Sequence, residues 1–496
     1  MRLSNERFAE RLGIAARTVA GWHQKPDLRP KSEMQQLLDT ALEQATPAER
    51  ARFAEHVGAA TSEPSPTDER LAADPHIGAA LEWLDKHAGW TPGTARTAVA
   101  ERLASLDVQD LHDRGTRRGW VSQRDTADAL ATYYGSRLAD HGLFTARCGD
   151  LAVNTSVLTC ADWLDLDCEL RPPHDAFRVP KAQPEADLAL DEHAAGRAVQ
   201  RLAETLAMNT RLTDSPIYRL RDTDIREHHL GGTFGMAQFV HYALTVDLLE
   251  GELVDAVAAS STTMPLRDRY LPDLRSALDT SSRLAAGGVL ALTAIARPAD
   301  PYRGEADYLL LVQERSGNVL NAARRLAVIP KGFHQPLTDV RRDAQIGMTL
   351  RREMEEELFG RPDIDNTLTE QLAADPLHPT RLTEPMRWLM AEPHRLRMEC
   401  TGFGLNLVSG NYEFASLIVI DDEEFWERYG GVVEANWESA TLRQYSTTDT
   451  ELVTELLSDV AWSNEGLFAM TQGLRRLAQI GGERVKLPEI EWEISQ

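Results

Sequence analysis

The sequence predicts a multidomain α+β protein. A small all-α module comes first, a mixed but mainly helical middle follows, and a strand-rich α/β region closes the chain. Three observations carry that reading. At 496 residues the chain has room for about three domains of roughly 150 residues. Apolar residues recur at helical spacing through the first part and gather, from Gly288 on, into short runs bounded by Pro, Gly and charged turns. Two proline-rich stretches, over 58–75 and 171–185, interrupt the periodicity. These place a first domain at 1–57, a linker at 58–75, a middle domain at 76–285 that can divide near 171–185, a third domain at 286–485 and a tail at 486–496.

Composition narrows the function classes. With 42% hydrophobic and 26% charged residues the chain is not disordered. Its net charge of −24 repels phosphate, so a surface uniformly devoted to nucleic acid or anionic lipid is excluded. The longest mainly apolar stretch, Val289 to Ala296, is too short to span a bilayer, and the opening MRLSNERFAERLG lacks an apolar signal segment. A cytoplasmic protein without membrane contact is expected. Cys148, Cys160, Cys168 and Cys400 form no CxxC pair and are expected as reduced, buried thiols.

Charge is distributed unevenly. Residues 1–31 hold Arg2, Arg7, Arg11, Arg17, Lys25, Arg29 and Lys31 against Glu6, Glu10 and Asp27, a local balance of +4 that leaves −28 for the rest. A basic head on an acidic body points to one module, not the whole surface, meeting nucleic acid. Within that head, Phe8 and Leu12 share a helical face over Asn5 to Leu12. Gly13 is placed to end the helix, and a second helix fits Ala15 to His23 with Val19 and Trp22 facing back. Ala9 is small enough for two helices to cross over it. Two further helices are expected over 32–42 and 47–57.

The set Phe8, Ala9, Leu12, Gly13, Ile14, Val19 and Trp22 resembles the helix-turn-helix of the phage-repressor class of bacterial regulators. The resemblance implies that the second helix enters the major groove of double-stranded DNA, with Ala15, Ala16, Arg17, Thr18 and Gly21 facing it. Arg17 alone among them can donate a bidentate pair to guanine. His23, Gln24, Lys25 and Arg29 would contact the backbone. Such readers generally bind as homodimers, which is expected here too.

The middle domain offers less. Helices fit 79–87 and 97–106, a buried strand fits Ala152 to Leu158, and Val199, Leu202 and Leu206 mark another helix. A helix is also expected over Met236 to Val257. His228, His229 and the GGTFG run at Gly231–Gly235 lack the spacing of a metal or phosphate site and read as scaffold.

In the C-terminal region, strands fit VLALTAIA, ADYLLLVQER and RRLAVIPKGF, followed by a helix over Asp343 to Phe359. Its stripe of Gly347, Leu350, Met354 and Leu358 is expected buried. Glu353, Glu356 and Glu357 lie beside that stripe at i, i+3 and i+4, so on a regular helix they share a face. Carboxylates so close repel unless water screens them or a divalent, oxygen-preferring cation such as Mg²⁺ neutralises them.

Pro330-Lys331-Gly332 followed by REMEEEL resembles the Nudix family, with Arg352, Glu353, Glu356 and Glu357 on its Arg-Glu and Glu-Glu positions. The resemblance covers about 286–485, including FGLNLVSG, FASLIVI and a final helix at Glu465 to Ile480. It implies an α/β/α sandwich whose ligand, a nucleotide or nucleoside-diphosphate compound, lies near Lys331, Gly332, Arg352, Glu353, Glu356 and Glu357, with Mg²⁺ as the cofactor. The chain departs from the family pattern at Ala344, where a glutamate belongs, at Thr338, in a loop six residues longer, and at a late Gly360. A regulator that senses such a ligand is therefore expected over a Mg²⁺-dependent Nudix hydrolase with a DNA-binding appendage.

Overall fold

The computed structural model describes residues 5–24, 34, 37, 38, 41, 71, 75–135, 137–181, 189–210, 212–315, 325–362, 375, 377–430 and 439–494. The chain divides into two compact units, Met1–Glu69 and Arg70–Gln496.

The first unit contains α1 (Asn5–Leu12) and α2 (Ala16–Gln24). Gly13, at φ 68, ends α1 with a paired closure: its N–H donates to Glu10 O (3.2 Å) and the Ile14 N–H to Ala9 O (3.0 Å). That double bond is the Schellman stop, and a left-handed residue at its centre is where glycine is least strained. Ala9, Leu12 and Val19 are buried, and Phe8, Ile14 and Trp22 are half-buried around them. The further helices expected at 32–42 and 47–57 lie outside the described residues, except that Met34, Leu37, Leu38 and Ala41 are helical. Most of the expected linker lies outside them as well.

The second unit opens with α3 (Pro75–His87), α4 (Thr94–Ser105), α5 (Val108–Gly119) and α6 (Gln123–Tyr134). Strands β1 (Arg137–Leu138), β2 (His141–Cys148), β3 (Leu151–Thr159) and β4 (Leu164–Glu169) follow, then α7 (Glu192–Met208). The hairpin β5 (Pro216–Arg226) and β6 (His229–Gln238) leads into short helices α8 (Phe239–Ala243), α9 (Leu248–Ala258), α10 (Pro265–Tyr270) and α11 (Leu274–Leu278). Next come β7 (Gly287–Arg297), β8 (Asp307–Arg315), β9 (Leu326–Val328), β10 (Lys331–Phe333), α12 (Ile346–Glu353) and α13 (Glu384–Ala391). The chain finishes with β11 (Leu396–Asn406), β12 (Asn411–Ile420), α14 (Glu423–Tyr429), β13 (Ser439–Ser446), α15 (Thr450–Leu457), α16 (Asn464–Ile480) and β14 (Glu491–Ile494).

One mixed sheet organises this unit. Its order is β1-β2-β3-β11-β12-β7-β8-β13, with β14, β4, β10 and β9 paired at the margins of β2, β11, β7 and β8. The long central pair, β7 with β12, is parallel and the other pairs are antiparallel. Every residue of β7 is buried, as a strand covered on both faces requires. Val289, Ala291 and Ile295 pack with Ile346 and Leu350 of α12 and with Met354 just after it, while Leu290, Leu292, Ala294 and Ala296 pack with Leu467, Phe468 and Leu474 of α16. Helices thus cover both faces.

Two expectations need correction. The boundary at 285/286 is no separation, because β3 and β4 pair directly with β11: Leu158 faces Leu405, and Cys168 faces Cys400. Strands from the expected middle domain therefore complete the C-terminal sheet. Nor is Met236 to Val257 one helix, since Met236 and Ala237 end β6. The GGTFG run lies in that strand, where a side chain at Gly232 would strike the Asp222 carbonyl across the hairpin. A helical cluster does remain, built from Ile77, Leu81 and Leu84 of α3, Ala95 and Val99 of α4, and Ala195, Val199 and Leu202 of α7. All four cysteines are free and buried.

Candidate functional site

In the first unit, α2 presents a small polar face. Arg17 and Ala15 are exposed, and Ala16, Thr18 and Gly21 are half-buried. The Thr18 N–H donates to Ala15 O (2.9 Å), which starts the helix immediately after the turn. His23 and Gln24 extend its last turn. Lys25 and Arg29 lie outside the described residues.

In the second unit, the helix carrying the carboxylates is anchored at its start by a distant acid. Asp175 Oδ2 accepts from the Gly347 N–H (2.9 Å), and a side chain at Gly347 would collide with Leu170 O. Burial pushes the Asp175 carboxyl up to about 6, against the pull of those helix N–H groups. The stripe of Gly347, Leu350, Met354 and Leu358 is buried as expected.

The end of the helix departs from expectation. From Met354 to Leu358 it widens into a π turn. The extra residue per turn rotates Glu356 and Glu357 away from the α-helical register, so with Glu353 they do not form the exposed face that α spacing implies. All three are buried. The π turn also draws in Glu355, which accepts from the Thr383 N–H (3.1 Å) and hydroxyl (3.2 Å) and pairs with Arg361 (3.6 Å).

Each carboxylate of the motif has an internal partner. The Arg352 guanidinium donates to Glu353 through Nε (3.1 Å) and through Nη2, lies 3.9 Å from Glu356, and reaches Phe333 O (2.9 Å) with Nη2. Glu353 also fills the space beside Gly332, where a Cβ would overlap the carboxylate. Glu357 accepts from the Lys331 N–H (2.6 Å). The Lys331 ammonium turns instead to Glu465 at the start of α16 (2.6 Å), whose second oxygen accepts from Asn406 Nδ2 (3.0 Å). Lys331, Gly332, Arg352, Glu353, Glu356 and Glu357 are therefore brought together as the sequence suggests.

Glu413 and Glu465 complete the cluster and were not anticipated. Glu413 sits on β12, and burial, reinforced by Glu465, pushes its carboxyl up to about 8; Lys331 and Arg315 offset only part of this. Burial also pushes Glu465 up, but the Lys331 ammonium outweighs it and holds that carboxyl low. A signal for Glu413 exists in the sequence: it is the one charge in NYEFASLIVI, a run otherwise fit for a doubly covered strand. Glu465 carries no such mark, because an acid after Ser463 reads as ordinary first-turn chemistry.

Gln335, Leu337, Asp343, Met348, Thr349 and Leu377 surround Arg352 and leave no room there for a ligand. No described helix is long and apolar enough to cross a membrane. Neither a protein-family model nor a curated protein matches the chain.

Proposed function

We propose that the protein is a DNA-binding transcriptional regulator whose C-terminal region senses a nucleotide-type ligand. The observation that carries this reading is the N-terminal pair: two helices joined by a glycine stop, with Arg17 exposed on the second, in a basic segment of an otherwise acidic chain. An exposed cation on such a helix suits major-groove recognition. The active species would be a homodimer reading two half-sites about 34–36 Å apart.

Gel-shift assays with genomic fragments test the reading. A retarded band that weakens steeply with salt is the expected result, since displaced counterions drive phosphate binding. Absence of any band at low salt, in a preparation that is folded and dimeric, would end it.

The ligand-sensing half of the proposal is supported by the convergence of Lys331, Arg352 and the glutamates around one helix end. Coupling to DNA would require the ligand to favour one of two arrangements of the protein. A thermal-shift panel of nucleotides tests it, because a ligand that binds only the folded state raises the melting temperature. Release of phosphate from the same panel would instead favour a hydrolase.

A further inference from the structure

We infer that Arg352 and Lys331 already hold the carboxylates a divalent metal ion would need, Glu353 and Glu465, and that this cluster binds no such ion. The inference rests on reading the region as a ligand site and concerns only whether that site holds a metal.

Glutamates at i, i+3 and i+4 call for a divalent cation when their oxygens share a face and have no other counter-charge. The second condition fails here. Glu353 is packed beside Gly332 and bonded to Arg352, and Glu357 is turned to the Lys331 N–H. Arg352 is fully buried between Glu353 and Glu356, so its charge is spent on them. Glu413 and Glu465 add two acids, but the Lys331 ammonium is already seated on Glu465. Among the described residues no three His, Cys, Asp or Glu side chains converge into a group able to hold a metal ion.

Mg²⁺ requires near-octahedral oxygen ligands at about 2.0–2.1 Å. Assembling them would mean pulling Glu353 from Arg352 and Glu465 from Lys331, and both pairs are almost wholly removed from water. A buried ion pair yields a partner reluctantly, because each charge left behind loses its compensation. The guanidinium and ammonium already occupy the oxygens that a metal ion would need.

Thermal shift and Mn²⁺ electron paramagnetic resonance on the full chain test this. In EDTA, or in about 1 mM MgCl₂ or MnCl₂, the wild-type melting temperature should stay the same, and free Mn²⁺ should remain unbound. Lys331→Met uncovers Glu465 and should bind Mn²⁺ at least about tenfold tighter than wild type, while Lys331→Arg behaves as wild type. Two results overturn the inference: Mn²⁺ binding to wild type that Glu356→Gln abolishes, or Lys331→Met binding no tighter than wild type. Should Lys331→Met fail to fold, the wild-type titration decides alone. Nucleotides that shift the melting temperature neither with nor without metal would remove the ligand reading, and the Mn²⁺ result would still decide this one.

Discussion

The N-terminal helix pair and the helix over 346–358 both concentrate charge, and they treat it in opposite ways. On α2 the arginine proposed to read DNA stands in solvent, on a helix pair that buries Ala9, Leu12 and Val19. On α12 and its π turn, Arg352 and all four glutamates from 353 to 357 are buried and paired. The difference teaches where function and stability separate. An exposed charge can be removed with little effect on folding, so a loss of binding there is interpretable. A buried, paired charge cannot be removed without unfolding its surroundings, so a loss of activity there says little by itself.

The largest effect should come from Arg352→Ala. It leaves Glu353 and Glu356 buried without their counter-charge, and breaking such a pair costs about 3–5 kcal/mol. Urea denaturation of the second unit should reveal it as a lowered midpoint, and an unchanged midpoint would mean these charges are effectively solvated. Glu413→Gln should be of comparable size, on the order of 5 kcal/mol at pH 8, and of opposite sign. With its carboxyl pushed up to about 8, folded Glu413 keeps a proton that the unfolded chain releases near 4.3. The native state then binds more protons across that window, so wild-type stability falls as pH rises from about 4.3 to 8 and levels off above. The glutamine variant lacks this slope. It should match wild type near pH 4 and exceed it at pH 8, and parallel curves across the range would refute the assignment.

How much of this was legible beforehand differs between the two regions for the same reason. Helix pair and turn were readable from Phe8, Leu12, Gly13, Val19 and Trp22, because a two-helix unit is governed by local spacing and one glycine stop. In the C-terminal region the strands at 287–297 and 307–315, the buried stripe of α12 and the final helix were equally legible. The π turn was not: Glu355 within it bonds Thr383 and pairs with Arg361, partners further along the chain that local spacing does not reveal. Nor could the reach of the sheet into β2–β4 be read, because pairing such as Leu158 with Leu405 joins residues far apart in sequence. Sequence spacing placed Glu353, Glu356 and Glu357 correctly on one element, while only tertiary contacts determine what neutralises them.

The two smallest effects sharpen the contrast within the first unit. Gly13→Ala meets no neighbouring atom, so its cost is conformational alone: a Cβ at φ 68 is disfavoured by about 1 kcal/mol. Faster hydrogen exchange across both α1 and α2 should report it, and exchange confined to one helix would mean the glycine stop does not couple them. Arg17→Ala should change the stability of that unit by less than about 0.5 kcal/mol, as expected for an exposed side chain. If Arg17 makes the bidentate guanine contact, the same substitution weakens specific DNA binding by about 1–3 kcal/mol, a loss of roughly five- to 150-fold in titrations at fixed salt. Equal losses in folding and binding would place Arg17 in the fold, whereas loss of binding alone places it at the DNA.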